Sequence, residues 1–173
     1  MDFKVILISG IPATSKSCYC KWLEQQKGFI HLDFDKLLWN KGSMESLALV
    51  QILKETGAMG FINAAKKSGK PIAIDWGFPP NNLHHVRELC EAGAEVWWFA
   101  GERQIARHKF IERGGGDEKA FDTQMDNIEA NLPQINSVIG SNVIETLHAD
   151  GTYTKPEEIF KHMFPLESEA GRA

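Results

Sequence analysis

Residues 10 to 18 read Gly10-Ile11-Pro12-Ala13-Thr14-Ser15-Lys16-Ser17-Cys18, directly after an apolar run and directly before a stretch with helical spacing. This is close to the pattern G-x-x-x-x-G-K-[ST], in which successive backbone N–H groups turn inward around an anion. A helix amino terminus adds positive potential, the lysine reaches the β- and γ-phosphates of a nucleotide, and the hydroxyl binds Mg²⁺. Gly10, Lys16 and Ser17 fit the pattern. Its second glycine is replaced by Ser15, and Ala13 stands where many such loops carry another glycine. The competing reading is an ordinary strand-to-helix turn. If the Ser15 position needs positive φ, a Cβ there costs about 1–2 kcal/mol relative to glycine. That weakens nucleotide affinity about tenfold without abolishing it.

A second group of residues is acidic. His31-Leu32-Asp33-Phe34-Asp35 places two carboxylates at spacing i, i+2 where an apolar run ends. One could hold the water shell of Mg²⁺ or take the proton of an attacking hydroxyl, and the other could hydrogen-bond an acceptor's hydroxyls. Asp35, ahead of Lys36-Leu37-Leu38, is equally a reasonable helix N-cap. Asp75 closes the run Pro71–Asp75, where a further acidic ligand for the Mg²⁺ shell would sit, or else a turn aspartate.

A third group is cationic. Arg103 and Arg107 lie one helical turn apart and share a face, and Arg113 ends the same stretch beside Gly114, Gly115 and Gly116. Arginines on such a hinged flap can close over a triphosphate and neutralise charge developing in phosphoryl transfer. The plainer reading is a solvated helix paired through Glu102 and Glu112. His84, His85 and Cys90 do not suggest a metal site, because adjacent histidines on a helix diverge by about 100°.

These groups need a scaffold that gathers them. Short runs rich in β-branched and aromatic residues are Phe3–Ser9, Phe29–Asp33, Pro71–Asp75, Ala94–Phe99 and Asn142–Leu147. Between and after them lie helical patterns over 17–26, 44–67 (broken near Gly57 and Gly60), 81–92, 104–113, 121–139 and 155–164. Strand–helix alternation implies crossover connections and a parallel sheet buried on both faces. The adjacent Trp97 and Trp98 agree, since neighbouring strand residues point to opposite faces. Ligands of such sheets bind beyond the carboxyl ends of the strands, which is where all three groups lie.

The chain has 173 residues, 43% hydrophobic and 24% charged, which is an ordinary soluble composition for one domain. We expect that domain over 1–165, with 166–173 as a disordered tail. A domain of this size buries roughly two thirds of its unfolded surface and needs no disulfide or metal staple. The formal charge of -4 argues against a strongly basic nucleic-acid binder. No apolar run approaches the roughly 18 residues of a membrane span, and no cleavable leader pattern opens the chain. Three cysteines without metal-ligand spacing suit a reducing cytoplasm.

The pieces VILISGIPATSKS, HLDFD, PIAID, VWWFAGERQIARHKFIERG and NVIETLHADGTYTKPEEIF together resemble the P-loop small-molecule kinases of the adenylate-kinase-like group. The likeness is to shikimate and gluconate kinases, chloramphenicol phosphotransferase and the kinase part of polynucleotide kinases. It spans nearly the whole chain, and its first piece is the most specific. The resemblance implies a three-layer α/β/α P-loop NTPase fold with a five-stranded parallel sheet in the order 2-3-1-4-5. It also implies ATP with Mg²⁺ and transfer of the γ-phosphoryl group to a hydroxyl of a small molecule. Carried over by position, residues 10 to 18 hold the phosphates, with Lys16 catalytic, and Ser17, Asp33 and Asp75 serve the metal. Asp33 is then the base or a metal-shell carboxylate, Asp35 binds the acceptor, Arg107 lies near the adenine and Arg113 is the lid arginine. Two departures stand out: the missing second glycine, and a lid reduced to Gly114–Lys119.

The acceptor is expected between the Asp33 loop and the 44–67 helices, which offer Trp39, Met44, Met59 and Phe61 but no cluster of cations. A nucleotide-binding sensor or regulatory protein with weak or no transfer is the alternative, motivated by Ala13 and Ser15. A GTP switch fits poorly, because Asn40-Lys41-Gly42-Ser43 lacks the aspartate of a guanine-reading N-K-x-D motif. Action on nucleic-acid ends is disfavoured by the absence of a basic stripe. The expected state is a monomer or homodimer without membrane attachment.

Overall fold

The computed structural model describes residues 4–37, 41–78 and 80–165; Trp39 and the expected tail lie outside them. Five strands form one all-parallel sheet in the order β2-β3-β1-β4-β5. They are β1 (Val5–Gly10), β2 (Ile30–Asp33), β3 (Ile72–Asp75), β4 (Glu95–Gly101) and β5 (Val143–Leu147). All six residues of β1 are buried, because the central strand has neighbours on both edges and helices on both faces.

Alternation along the strands separates two cores. Val5, Leu7, Ile72, Ile74, Val96 and Trp98 pack on one side, while Ile6, Ile8, Ala73, Trp97 and Phe99 pack on the other. The adjacent tryptophans therefore do face opposite layers, as strand pleating requires. The second core is closed by α1 (Lys16–Lys27) through Tyr19, Cys20 and Leu23, and by α8 (Pro156–Met163) through Ile159, Phe160 and Met163. The first core is covered by α2 (Phe34–Leu37), α3 (Met44–Ser68), α4 (Leu83–Glu91), α5 (Arg103–Glu112), α6 (Glu118–Ala130) and α7 (Leu132–Ile139). No helix among the described residues is long and apolar enough to cross a membrane.

Three local features depart from the sequence expectations. The helical pattern over 121–139 is two helices, α6 ending at Ala130 and α7 starting at Leu132, because Pro133 has no N–H to continue the α6 ladder and is accommodated in the first turn of α7. The pattern over 44–67 breaks at Gly57 (φ 70°, ψ −174°) as expected, but not at Gly60, which stays helical. Of the residues expected near the acceptor, Met44 and Met59 face solvent and Phe61 belongs to the core. The cap of α2 is Asp33, whose Oδ1 accepts from the Lys36 N–H at 3.1 Å, and Asp35 lies inside that helix.

The connection from β1 to α1 has an unusual backbone. Ala13 (φ 64°) and Ser15 (φ 62°) are the only non-glycine residues at positive φ among those described. The strain anticipated at Ser15 is therefore present, and Ala13 shares it. Gly10 is irreplaceable for a different reason: a Cβ there would lie 2.1 Å from the Phe99 carbonyl oxygen on β4. We expect Gly10→Ala to destabilise the fold by about 2–3 kcal/mol, read as a fall in melting temperature of about 5–10 °C by circular dichroism. Ser15→Gly relieves a left-handed side chain but loosens the unfolded chain, a net gain of about 0.5–1 kcal/mol, or about 2 °C. Ser15→Val, whose branched side chain tolerates the left-handed region worst, should lower the melting temperature instead.

Candidate functional site

The loop between β1 and α1 is fastened from outside. Left-handed residues interrupting a right-handed turn swing N–H groups into a concavity and carbonyls outward, and the outward carbonyls then need donors. Thr146 at the end of β5, fully buried, donates to the Thr14 carbonyl at 2.9 Å. Tyr153 donates its hydroxyl to the Ala13 carbonyl at 3.0 Å. Thr14 donates to the Ile11 carbonyl at 2.8 Å. The amino terminus of α1 has no acidic residue in its first turn and no side-chain cap. The N–H groups that a helix leaves unpaired there are thus not neutralised by the chain itself, the condition in which a helix start attracts an anion.

Lys16 reaches back over this concavity. Its Nζ donates to the Ile11 carbonyl at 2.7 Å and to the Gly10 carbonyl at 3.1 Å. Burial lowers its pKa to about 8, against the opposing pull of Asp75 and with a smaller push from Arg113 in the same direction. Lys16 therefore senses both the acidic strand ends and Arg113.

Asp33 and Asp75 are Cα partners across β2 and β3, and Asp75 pairs in turn with Ile8 of β1, so both carboxylates stand beside the loop. Burial pushes the Asp75 carboxyl up, but polar contacts from His31 and Ser17 and the Lys16 charge outweigh it and hold the group below the usual carboxylate range. Asp33 is paired with the Lys36 ammonium. Asp35 is pushed up by burial and by the charges of Asp75 and Asp33. Asp35 and Asp75 thus share one region with opposite shifts, beside Asp33.

His31 was not singled out from the sequence. Its side chain is 8% exposed, with Nε2 lying 3.7 Å from the Asp75 Oδ2 and making no hydrogen bond. Ligand atoms of His31, Asp33 and Asp75 fall within 4.8 Å of one another. Together with the Ser17 hydroxyl, the carboxylate oxygens form the hard donor set that suits Mg²⁺. The legible signal was spacing, since His31 and Asp33 at i, i+2 on one strand point the same way. Thr146 and Tyr153 carried no such signal beyond lying on the fifth strand and the segment after it.

The arginines are placed as the sequence spacing implied but partnered differently. Arg107 donates to Glu118 at 2.8 Å and Asp122 at 3.2 Å, and Arg103 engages Glu129 and Asp126. All four acids come from α6. Glu102 instead caps α5, accepting from the Ile105 N–H at 2.7 Å, and Glu112 lies near His108 and Lys109. Arg113 is exposed at the carboxyl end of α5, with its guanidinium 5.5 Å from the centre of the Phe110 ring. Cys18 is an exposed thiol in the first turn of α1.

No family model and no curated protein matches the chain. Solved structures do match its fold. A shikimate kinase from Acinetobacter baumannii in complex with shikimate aligns with a TM-score of 0.60 at 12% identity, covering 99% of this chain and 96% of that one. A shikimate kinase from Bacteroides thetaiotaomicron gives 0.55 at 13% identity over 95% and 98% of the two chains. A gluconokinase from Sinorhizobium meliloti gives 0.54 at 12% identity over 95% and 92%. At these identities the likeness is one of architecture, and it agrees with the strand order and the position of the loop. The chain has the fold of the P-loop small-molecule kinases of the adenylate-kinase-like group.

Proposed function

We propose that the protein is an ATP-dependent phosphotransferase that moves the γ-phosphoryl group to a hydroxyl of a small molecule. The observation that carries this reading is Lys16, folded over a loop held left-handed at two side-chain-bearing residues, with Asp33, Asp35 and Asp75 grouped opposite. An ordinary turn has no reason to keep such a backbone, and strained residues of this kind concentrate where a ligand is held.

In this reading the amides of residues 11 to 18 and Lys16 hold the β- and γ-phosphates. Ser17, Asp33 and Asp75 would hold Mg²⁺, Asp33 on releasing the Lys36 ammonium, and the metal would supply charge that offsets the phosphates. Asp35 takes the acceptor's proton, because burial and the charges of Asp75 and Asp33 raise its affinity for a proton, whereas Asp33 lies against Lys36 and caps α2. Arg113, exposed next to three glycines and close enough to act on Lys16, closes over the transferring phosphate. Arg107 flanks the adenine after exchanging one of its carboxylates on α6 for the base. The acceptor lies between the Asp33 segment and α3. The left-handed Ala13 and Ser15 also support a second reading, a nucleotide binder without transfer, and turnover separates the two.

Lys16→Met should raise the dissociation constant of ADP at least tenfold in calorimetric titration. Because burial depresses the Lys16 pKa to about 8, the folded state carries fewer protons than the unfolded one between about pH 8 and the normal lysine value. Below pH 8 the buried charge opposes folding, and that penalty lifts as pH rises. Lys16→Met should therefore leave the melting temperature at pH 7 unchanged or higher, and a large fall would show a structural lysine. Nucleotide affinity of the unmodified protein should decline as pH passes 8.

Asp35→Asn should reduce phosphoryl transfer by about 10²–10⁴-fold while ADP affinity holds within twofold. Equal loss in Asp33→Asn with no loss in Asp35→Asn would reverse the two roles. ATP binding without release of ADP under any acceptor would leave the binder reading.

A further inference from the structure

Between α2, α3 and α4 lies a cavity of about 450 Å³. We propose that it receives the acceptor, and that the acceptor is a neutral molecule with an apolar, ring-containing body whose hydroxyl is presented to Asp35. This rests on the phosphotransferase reading and specifies its substrate class.

The place follows from the chain. Phe34, in the cavity wall, stands between Asp33 and Asp35, and Trp76, also in the wall, directly follows Asp75. The wall is thus built from the residues next in sequence to the carboxylates, which lie outside the wall itself. The Phe34 and Trp76 rings lie 5.5 Å apart, and Trp76 lies 5.7 Å from Phe78, so the aromatic side of the cavity is braced rather than free to collapse.

The size follows from a break. α3 carries Gly57 and Ala58 at the cavity, with Gly57 in the left-handed region where the helix is interrupted. Two successive positions with almost no side chain leave a gap that a continuous helix of larger residues would fill. The volume is about three times that of a roughly 150 Å³ apolar cavity able to hold benzene, and it falls within the usual range for small-molecule sites.

The chemistry follows from the lining. Leu37, Val50, Leu53 and Leu89 join the two aromatic rings, and apolar area dominates. The charged or titratable members, Lys54, His85 and Glu88, are all exposed and so sit at the rim. Glu88 is 3.4 Å from His85. No arginine lines the cavity among the described residues. An anionic acceptor would have to leave water for an apolar wall without a buried cation and still turn its hydroxyl toward the region of Asp33, Asp35 and Asp75. Uncompensated burial of charge is heavily penalised, and the three carboxylates add repulsion. A neutral body with a single hydroxyl meets neither obstacle.

The test is binding rather than turnover. The probes are 2-phenylethanol as neutral aromatic alcohol, and gluconate and shikimate as anionic polyols, each titrated by saturation-transfer NMR with and without ADP and Mg²⁺. We expect 2-phenylethanol to bind at least tenfold more tightly than either anion. Ala58→Trp, which fills the gap at the break, should weaken it at least tenfold with ADP affinity unchanged. Leu53→Arg, which places a cation in the lining, should narrow or reverse the preference, and it serves where Ala58→Trp fails to fold. Equal or tighter binding of gluconate or shikimate would overturn the proposal, as would no detectable binding of 2-phenylethanol or its indifference to both substitutions. Loss of ADP binding alone would strike the phosphotransferase reading, because the alcohol is also read without nucleotide.

Discussion

The structure depends on keeping one short loop in a conformation that its own residues disfavour. At Ala13 and Ser15 the backbone is left-handed, although each carries a Cβ that raises the energy of that region by about 1–2 kcal/mol. Hydrogen bonds from outside hold it there. Thr146 and Tyr153 reach from the far edge of the sheet to the Thr14 and Ala13 carbonyls, and Lys16 and Thr14 satisfy Ile11 from within. With net values of about 0.5–1.5 kcal/mol for each such bond, the four are comparable with the strain they oppose. Glycine at these positions would remove the need for the fastening. Its absence couples the loop to β5 and the segment after it, residues more than 130 positions away in sequence.

The same loop sets the electrostatics around it. A helix start with no acidic residue and no cap is positive, and the nearest negative charge lies across the strand ends on Asp33, Asp35 and Asp75. Lys16 sits between the two. Arginines of α5 that would otherwise add to the positive side are largely tied to acids on α6, whereas Arg113, at the end of α5, has no such tie to α6 among the described residues. The short glycine segment after Arg113 joins α5 to α6, with Gly114 and Gly115 donating back to the Ile111 and Phe110 carbonyls of α5 at 2.9 Å.

Much of this was legible in the residues because the signals are local. Five apolar runs separated by helical spacing identify a parallel sheet, and Trp97 beside Trp98 shows both faces buried. The lysine, the hydroxyl and the strand-end aspartates were readable from spacing alone. What escaped depends on contacts distant in sequence or on competition between near-equal local choices. Thr146 and Tyr153 are unremarkable in the sequence and matter only because β5 closes the sheet beside the loop. His31 hides among strand residues until Asp75 is seen against it. Asp33 rather than Asp35 caps α2 because the helix begins two residues earlier than the apolar pattern suggests, and Pro133 divides a pattern whose periodicity runs through it.

A crystal structure with ADP and Mg²⁺ tests the central claim most directly. The account predicts the β-phosphate seated within about 3 Å of the amides of residues 13 to 17, with the Lys16 ammonium moved off the Gly10 and Ile11 carbonyls onto phosphate oxygen. Ala13 and Ser15 should remain left-handed, and Thr146 and Tyr153 should stay in place. An empty concavity at saturating nucleotide, or a loop that relaxes out of the left-handed region to exclude the phosphate, would contradict it.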